Sequence, residues 1–453
     1  MKFVHGILLG LLSHTLAQDS STAYVDLATT QGESSKNASG FIYGMPLNYD
    51  PNDIPDHFYT DIDIKWGRAG GAQLDTPCRG WAFGFEEYKC RFNATMLNYK
   101  QTRKFGATFI ILPHDIWGID YRSSISNHKM PGDNNDWTSY DDFLDELVRD
   151  LKANEALEGL VWDIWNEPDQ PGFWGRPIQQ WVDLYIRTHK KLRSDSDLDN
   201  VLISGPTTSS SPSMSNDHWT LWAMQIAGNR TYPDQYAWHY GDPDVDHPNF
   251  LAVLSQYDLP LQPVNLNEYA LLEEMTPSGY AWWLSRLERY NYAGLLGLWK
   301  PPLYDNFANL LTKSPGDPQD ENNDNYVGAA GFPLYKYYAT SMSGQRAKTK
   351  GSSDGRFDCF VTIGDKVRIL AGSRVAVGNF TLQLEGLEAV GYALSDTLDA
   401  VYYAFHGSDD IFEPFGDPDL LGIQSVPVEH GVAKLNVYVP DKHTGWKIEF
   451  EKK

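Results

Sequence analysis

The chain has 453 residues, 42% of them hydrophobic and 21% charged, a globular balance that excludes a fully disordered or collagen-like polymer. Its formal charge of −23, from 37 Lys+Arg against 60 Asp+Glu, repels phosphate backbones and anionic bilayers. Nucleic acid and membrane surfaces are therefore poor partners, and a neutral ligand is expected. The 15 Trp, 26 Tyr and 20 Phe serve mainly a large core. A surplus of flat rings also suits a cleft in which sugar C–H faces stack.

The N-terminus has the pattern of a secretory signal over residues 1–17. Lys2 precedes the apolar run Gly6 to Leu12, and Thr15-Leu16-Ala17 offers a small-residue cleavage site. That run is too short to span a bilayer, and no later stretch reaches about 18 uninterrupted apolar residues. A secreted, extracellular protein is expected. Cys78 and Cys90, with Gly80, Trp81 and Gly84 between them, are expected to close a disulfide loop, while Cys359, inside an apparent strand, reads as a buried hydrophobe. Asn37, Asn93, Asn229 and Asn379 each open an N-x-[ST] sequon and are candidate glycosylation sites.

Residues 18–39 form an N-terminal segment whose stretch 22–28 (TAYVDLA) resembles a strand outside the pattern that follows. From 40 to 345, eight short apolar segments alternate with helical stretches: 40–44, 64–69, 107–112, 160–165, 201–205, 236–240, 263–268 and 294–299. Several are continuous apolar runs, as parallel strands buried on both faces require. Amphipathic stretches at 140–153, 178–193 and 279–292 lie between them. The fold class expected is α/β, a (β/α)₈ barrel. A doubly wound sheet is disfavoured because no G-x-G-x-x-G turn follows the first strand. The acidic loop 315–325 lacks the glycine and terminal Glu of an EF-hand and reads as solvated. Residues 350–453 change texture. Segments 357–363, 366–371, 379–384, 389–394, 400–405, 432–439 and 445–450 are β-branched or aromatic, and an accessory β-sandwich that strand 22–28 could join is expected.

In such a barrel the chemistry sits at the C-terminal ends of the strands. The fourth strand runs into Asn166-Glu167-Pro168 and the seventh ends Asn267-Glu268-Tyr269. These strands face each other across a barrel mouth. Two converging carboxylates are what glycosidic cleavage needs, one protonated to release the leaving oxygen and one ionised to attack the anomeric carbon or activate water. A single strand-end Glu is most often a solvated or capping residue. Two on facing strands, each preceded by Asn and flanked by Trp or Tyr, are not explained that way.

The Asn166-Glu167-Pro168 tripeptide with Glu268 resembles clan A of the retaining glycoside hydrolases. The longer stretch Asp163-Ile164-Trp165-Asn166-Glu167-Pro168 is most similar to family 39, the β-xylosidase and α-L-iduronidase family. That resemblance implies Glu167 as general acid/base, Glu268 as nucleophile, and double displacement with neither metal nor organic cofactor. It implies that Asn166 hydrogen-bonds the sugar 2-hydroxyl, that Arg68 orients the nucleophile, and that Trp299 floors the sugar site. His239 and Tyr240 match the clan's His/Tyr position. The spacing departs from the common H-x-Y, which leaves open which of the two points inward.

His114, after the third strand, is a further candidate for a sugar hydroxyl. Trp117, Trp137 and Trp174 either stack further sugars or pack their own loops. The reaction expected is release of arabinose-containing units from arabinoxylan side chains, with β-xylosidase or another exo-glycosidase of the family as the alternative. A barrel that binds carbohydrate without turnover is the rival from another class. An iduronidase is disfavoured, because its anionic substrate would meet a strongly acidic protein. Oligomeric state, sugar identity and exo or endo action are not encoded in any motif.

Overall fold

The computed structural model describes residues 20–45, 54–72, 78–120, 129–297, 306–320 and 323–453. The signal-like segment 1–17 and Trp299 lie outside the described residues. The first strand, β1 (Thr22–Glu33), precedes a closed parallel barrel. The barrel strands are β2 (Gly40–Ile42), β3 (Trp66–Ala69), β4 (Thr108–Ile111), β5 (Leu160–Asp163), β6 (Leu202–Thr208), β7 (Gln235–His239), β8 (Val264–Tyr269) and β9 (Ala293–Leu296). Each coincides with one of the eight apolar segments of the sequence. Closure is made by β2 pairing with β9, Phe41 opposite Leu296.

The helices are α1 (Asp56–Asp61), α2 (Phe85–Lys104), α3 (Pro113–Trp117), α4 (Thr138–Ala153), α5 (Ile178–Arg193), α6 (Asp217–Asn229), α7 (Pro243–Tyr257), α8 (Pro277–Tyr290) and α9 (Phe332–Thr340). In α4 the buried Tyr140, Phe143, Leu144, Leu147, Val148 and Leu151 recur at the three- and four-residue spacing that puts one stripe against the strands. Most of the aromatic surplus goes into this layer. Among the described residues, nine tryptophans are under 2% exposed, including Trp162, Trp181, Trp222 and Trp238. Trp117 is one of them, edge-on to Tyr140 and Phe143. Trp174 is buried edge-on to Trp165, and Trp137 packs under the Arg187 guanidinium. All three are engaged in packing their own loops and helices.

After the short hairpin of β10 (Leu311–Lys313) and β11 (Tyr326–Gly328) comes a sheet of nine strands. Its members are β1, β12 (Gln345–Lys350), β13 (Phe357–Ile363), β14 (Lys366–Ser373), β15 (Gly378–Glu385), β16 (Ser395–Phe405), β17 (Asp419–Glu429), β18 (Ala433–Val439) and β19 (Gly445–Glu451), in the order β17-β16-β19-β14-β13-β12-β1-β15-β18. The sheet folds over a core of its own. Val25, Leu382 and Val437 from one wing meet Cys359, Ile369, Ala400 and Ile448 from the other. β1 lies inside this sheet, antiparallel to β12 and parallel to β15. Cys359 is buried and free, and Cys78 and Cys90 form a disulfide with Cα atoms 5.4 Å apart. Segment 389–394 is not a strand. It is a 3₁₀ turn over Leu387–Val390, bracketed by the left-handed Gly386 and Gly391, from which Leu387, Val390 and the following Tyr392 reach the core. Two strands of this sheet, like the hairpin of β10 and β11, were not foreseen. β17 is an edge strand with a largely exposed face, and β12 carries three basic residues. Neither reads as an apolar run.

Helix α8 joins the two bodies. It is buried on nearly all sides because β13, β14 and β19 cover the face turned away from the barrel. The approach is close enough that a Cβ on Gly372 would lie 2.1 Å from the Ser278 carbonyl oxygen. At this seam the buried carboxylate of Asp358 accepts from Arg286 Nε at 3.0 Å and from both terminal nitrogens of Arg289. Removing Asp358 leaves two buried guanidiniums short of a counter-charge. Asp358→Ala is expected to cost about 3–5 kcal/mol in chemical denaturation. A loss below about 1 kcal/mol, the range of exposed pairs, would show that the seam does not depend on this carboxylate.

Candidate active site

The site grows from strand alternation. Along β3, β4 and β5 the interior positions include Trp66, Ile110 and Val161, which with Leu295 of β9 make an apolar plug inside the barrel. Two residues further along the same faces come Arg68 and Asp163, both completely buried. Their pairing is dictated by that layer. Arg68 donates from Nε and Nη2 to Asp163 Oδ2 at 3.2 and 2.8 Å, from Nη2 to Asn166 Oδ1 at 2.6 Å, and from Nη1 to Glu268 Oε1 at 2.6 Å. Burial alone would weaken the guanidinium's hold on its proton. Asp163 and Glu268 outweigh it, and Arg68 is held more firmly protonated than a free arginine.

Glu268 reaches this layer through an irregularity. Between Ala237 and His239 of β7 and the paired Asn265 and Glu268, β8 carries one extra residue, and the same excess appears against β9 between Leu266 and Tyr269. This bulge lets consecutive residues share the interior. Asn267 Nδ2 donates to Asp163 Oδ2 at 3.0 Å while Glu268 meets Arg68. Behind Glu268, Gly297 leaves the space a side chain would take, since its Cβ would stand 2.7 Å from that of Glu268. Glu167 sits just beyond β5 in a left-handed conformation, φ 40°, with its N–H donating to the Thr207 carbonyl at 2.8 Å. A non-glycine residue there is strained, and the strain turns the side chain over the barrel mouth.

His239 and Tyr240 both face inward. His239 is the last residue of β7, and Tyr240 adopts φ 53°, which breaks the alternation that would have sent one of them outward. His239 Nδ1 lies 2.7 Å from Glu167 Oε1 and 3.7 Å from Glu268 Oε1, and the Tyr240 hydroxyl donates to Glu268 Oε2 at 3.4 Å. Burial disfavours an imidazolium here, but Glu268 and Glu167 more than offset it, and His239 keeps its proton to higher pH than an ordinary histidine. Tyr240, beside Glu268 and largely buried, stays a phenol well above the usual range.

One donor atom each from Glu167, His239 and Glu268 lies within 4.8 Å of the others, the spacing of a cation cage. The Arg68 guanidinium already supplies positive charge to one carboxylate of that cage.

Of the residues singled out in the sequence, Glu167, Glu268, Arg68, Asn166, His239 and Tyr240 converge. Asn166 accepts from Arg68, and its NH₂ has no protein partner among the described residues. His114 is 2% exposed, with Nε2 3.1 Å from Asp115 and its ring against Trp165 and Phe173, so its bonds tie it to that wall and not to the two carboxylates. Two residues of the network carried no signal strong enough to find them. Asp163 ends an ordinary apolar strand, and Asn267 is hidden by the bulge that re-aims it.

A further buried carboxylate, Asp246, lies on the first turn of α7. It accepts from Trp238 Nε1 at 3.2 Å and Asp242 N–H at 3.1 Å, yet burial pushes its carboxyl up to about 6. An unfolded aspartate titrates near 3.9. Asp246 therefore contributes stability that is complete below that value and lost as the pH rises through about 6. Asp246→Asn cannot ionise and is expected to exceed the wild type by roughly 2–3 kcal/mol at alkaline pH, with the gain gone in acid. A thermal midpoint shift equal at both ends would show that another group carries the effect.

No family profile and no curated protein matches the chain. Solved structures share its fold over nearly all of its length. N2152 from Neocallimastix frontalis is 20% identical with a TM-score of 0.72, covering 96% of this chain and 100% of that one. A xyloglucanase of glycoside hydrolase family 44 from Paenibacillus polymyxa is 11% identical with a TM-score of 0.53, covering 95% and 99%. A family 51 α-L-arabinofuranosidase from Bifidobacterium longum is 13% identical with a TM-score of 0.57, again covering 95% and 99%. The (β/α)₈ barrel with an attached β-domain is thus an architecture found among glycoside hydrolases.

Proposed function

We propose that the protein is a secreted retaining glycoside hydrolase of clan A, with family 39 the nearest in motif. The observation that carries this reading is the convergence of Glu167 and Glu268, each with a different partner. Glu268 lies against a buried guanidinium and a phenol. Glu167 lies against His239, a proton-holding group. One carboxylate is equipped to attack and the other to receive and return a proton.

Attack by Glu268 on the anomeric carbon forms a glycosyl ester and breaks the bond to the leaving oxygen, which takes the proton of Glu167. Glu167, now ionised, removes a proton from water, and the water oxygen displaces Glu268. The second step restores both carboxyl groups. Their closeness favours this path, since an inverting pair stands about 6.5–9.5 Å apart to admit water. Asn166 has an NH₂ group to offer a sugar hydroxyl, and Arg68 holds both Asn166 and Glu268 on one guanidinium. His239, with Nδ1 2.7 Å from Glu167 Oε1, holds that carboxyl group in place through both steps. The intact Arg68–Glu268 and His239–Glu167 pairs weigh against a barrel that only binds sugar.

For substrate we infer a neutral plant cell-wall glycan, with arabinose-containing units of arabinoxylan first and xylosides second. The net charge of −23 disfavours uronic acid chains. Burial of Trp117 and Trp174 removes two rings from any extended platform and favours release of a terminal unit.

Glu268→Gln is expected to lower turnover on arabinoxylan by roughly 10⁴-fold or more while sugar binding persists, as read by mass spectrometry of products and calorimetry. Wild-type turnover in that variant would exclude Glu268 as nucleophile. Glu167→Ala is expected to lose about 10²–10⁴-fold on natural glycosides and far less on aryl glycosides with activated leaving groups. Equal losses on both substrates would remove the acid role, and a first-formed product of inverted configuration by NMR would remove double displacement.

A further inference from the structure

The β-domain carries a groove far from the barrel chemistry. Its two edge strands, β17 and β18, approach one another at the open side of the folded sheet. Between them lies a cavity of about 250 Å³ lined by Asn379, Tyr402, Ile423, Asn436, Tyr438 and Trp446, among others. The walls are apolar and open to water. Leu421, Ile423 and Tyr438 are 54%, 66% and 58% exposed. The floor is different. Tyr402 and Trp446 are 4% and 8% exposed, their rings meet edge-on at 6.1 Å, and neither the Tyr402 hydroxyl nor the Trp446 Nε1 has a hydrogen-bond partner. Exposed aliphatic walls, amide side chains and two unsatisfied ring donors suit a ligand with both C–H faces and hydroxyl groups. Carbohydrate has that chemistry.

A source of carbohydrate is written into the groove itself. Asn379, exposed on β15, opens the sequon Asn379-Phe380-Thr381 and lies directly opposite Tyr438 of β18. Directly opposite residues of an antiparallel pair share a face. The other sequons lack such a seat. Asn37 is half-buried, Asn93 stands exposed on α2 among residues of its own helix, and Asn229 already engages Lys190 and the Gln225 carbonyl.

We propose that Asn379 bears an N-linked glycan that folds back into this groove and covers it. Attachment replaces one N–H of the Asn379 amide with a bond to the sugar C1, and the oligosaccharide leaves its lipid diphosphate carrier, which departs with the proton. The proximal sugars then lie on Ile423 and Tyr438, and their hydroxyls provide partners for Tyr402 and Trp446. The glycan hides the exposed apolar face of edge strand β17, which unprotected would be open to pairing with another chain.

The proposal rests on passage through a glycosylating secretory route and not on the hydrolase reading. The full chain secreted from a eukaryotic host is digested with an endoglycosidase, folded and after denaturation, and glycopeptides are quantified by mass spectrometry. Asn379 is expected to be occupied, and its glycan to be released about tenfold more slowly from the folded protein, the protection given by a seating equilibrium of about 10. Tyr438→Ala keeps the sequon and is expected to abolish that protection. Asn379→Gln is expected to lower the thermal midpoint of the secreted protein but not of bacterially produced protein, with turnover unchanged in both. An unoccupied Asn379, or a glycan released equally fast from folded and denatured protein, would overturn the proposal. So would self-association of the bacterial protein that Tyr438→Ala abolishes, or binding of free xylo-oligosaccharide in the groove, each of which assigns it another occupant.

Discussion

The Arg68 guanidinium is a permanent charge placed in the dry interior of a barrel, directly above an apolar plug. It is tolerable there only because three acceptors surround it, and each belongs to a different part of the site: Asp163 on β5, Asn166 beyond it, and Glu268 on β8. This constraint orders the mouth of the barrel. Moving Asp163 or Glu268 would strip the buried guanidinium of a counter-charge, and moving Asn166 would strip it of an acceptor, so the cost of disorder at the site is set by electrostatics rather than by loop stiffness. Asn267, bonded to Asp163, braces the same network from the strand that carries Glu268.

Around that fixed charge the two glutamates acquire unlike surroundings. One shares its space with a guanidinium and a phenol, the other with an imidazole whose own proton is held by the two nearby carboxyl groups. Chemically equivalent carboxyl groups are thus given different partners by position. The geometry that achieves this departs from regular structure in three places. A bulge in β8 turns Asn267 and Glu268 inward together, and left-handed backbone at Glu167 and Tyr240 swings their side chains over the mouth. Local strain at a site held by surrounding structure is a common price of function.

The attached β-domain has a core separate from that of the barrel, yet it meets α8 along a seam with buried ion pairs. That arrangement braces the eighth helix, which immediately precedes the strand behind Glu268. Its far side, where β17 and β18 approach, faces solvent and has a chemistry of its own.

The barrel was legible in the linear pattern because parallel strands buried on both faces must be continuously apolar, and all eight apolar segments became strands. The motif residues Glu167 and Glu268 were legible because strand ends on one barrel face must converge. Edge strand β17 and basic strand β12 were not, because neither buries enough apolar surface to show a period. Segment 389–394 looked like a strand but is bracketed by two left-handed glycines that close a turn. The sequence by itself determined the barrel and the meeting of two carboxylates at the C-terminal ends of its strands, since each follows from hydrophobic periodicity and closure. Only the tertiary structure decided that His239 and Tyr240 both point inward, that Asp163 and Asn267 complete the charge network, and that the loop tryptophans pack instead of lining a cleft. Those outcomes turn on single backbone angles, one extra residue in a strand and contacts between distant segments, none of which a local pattern records.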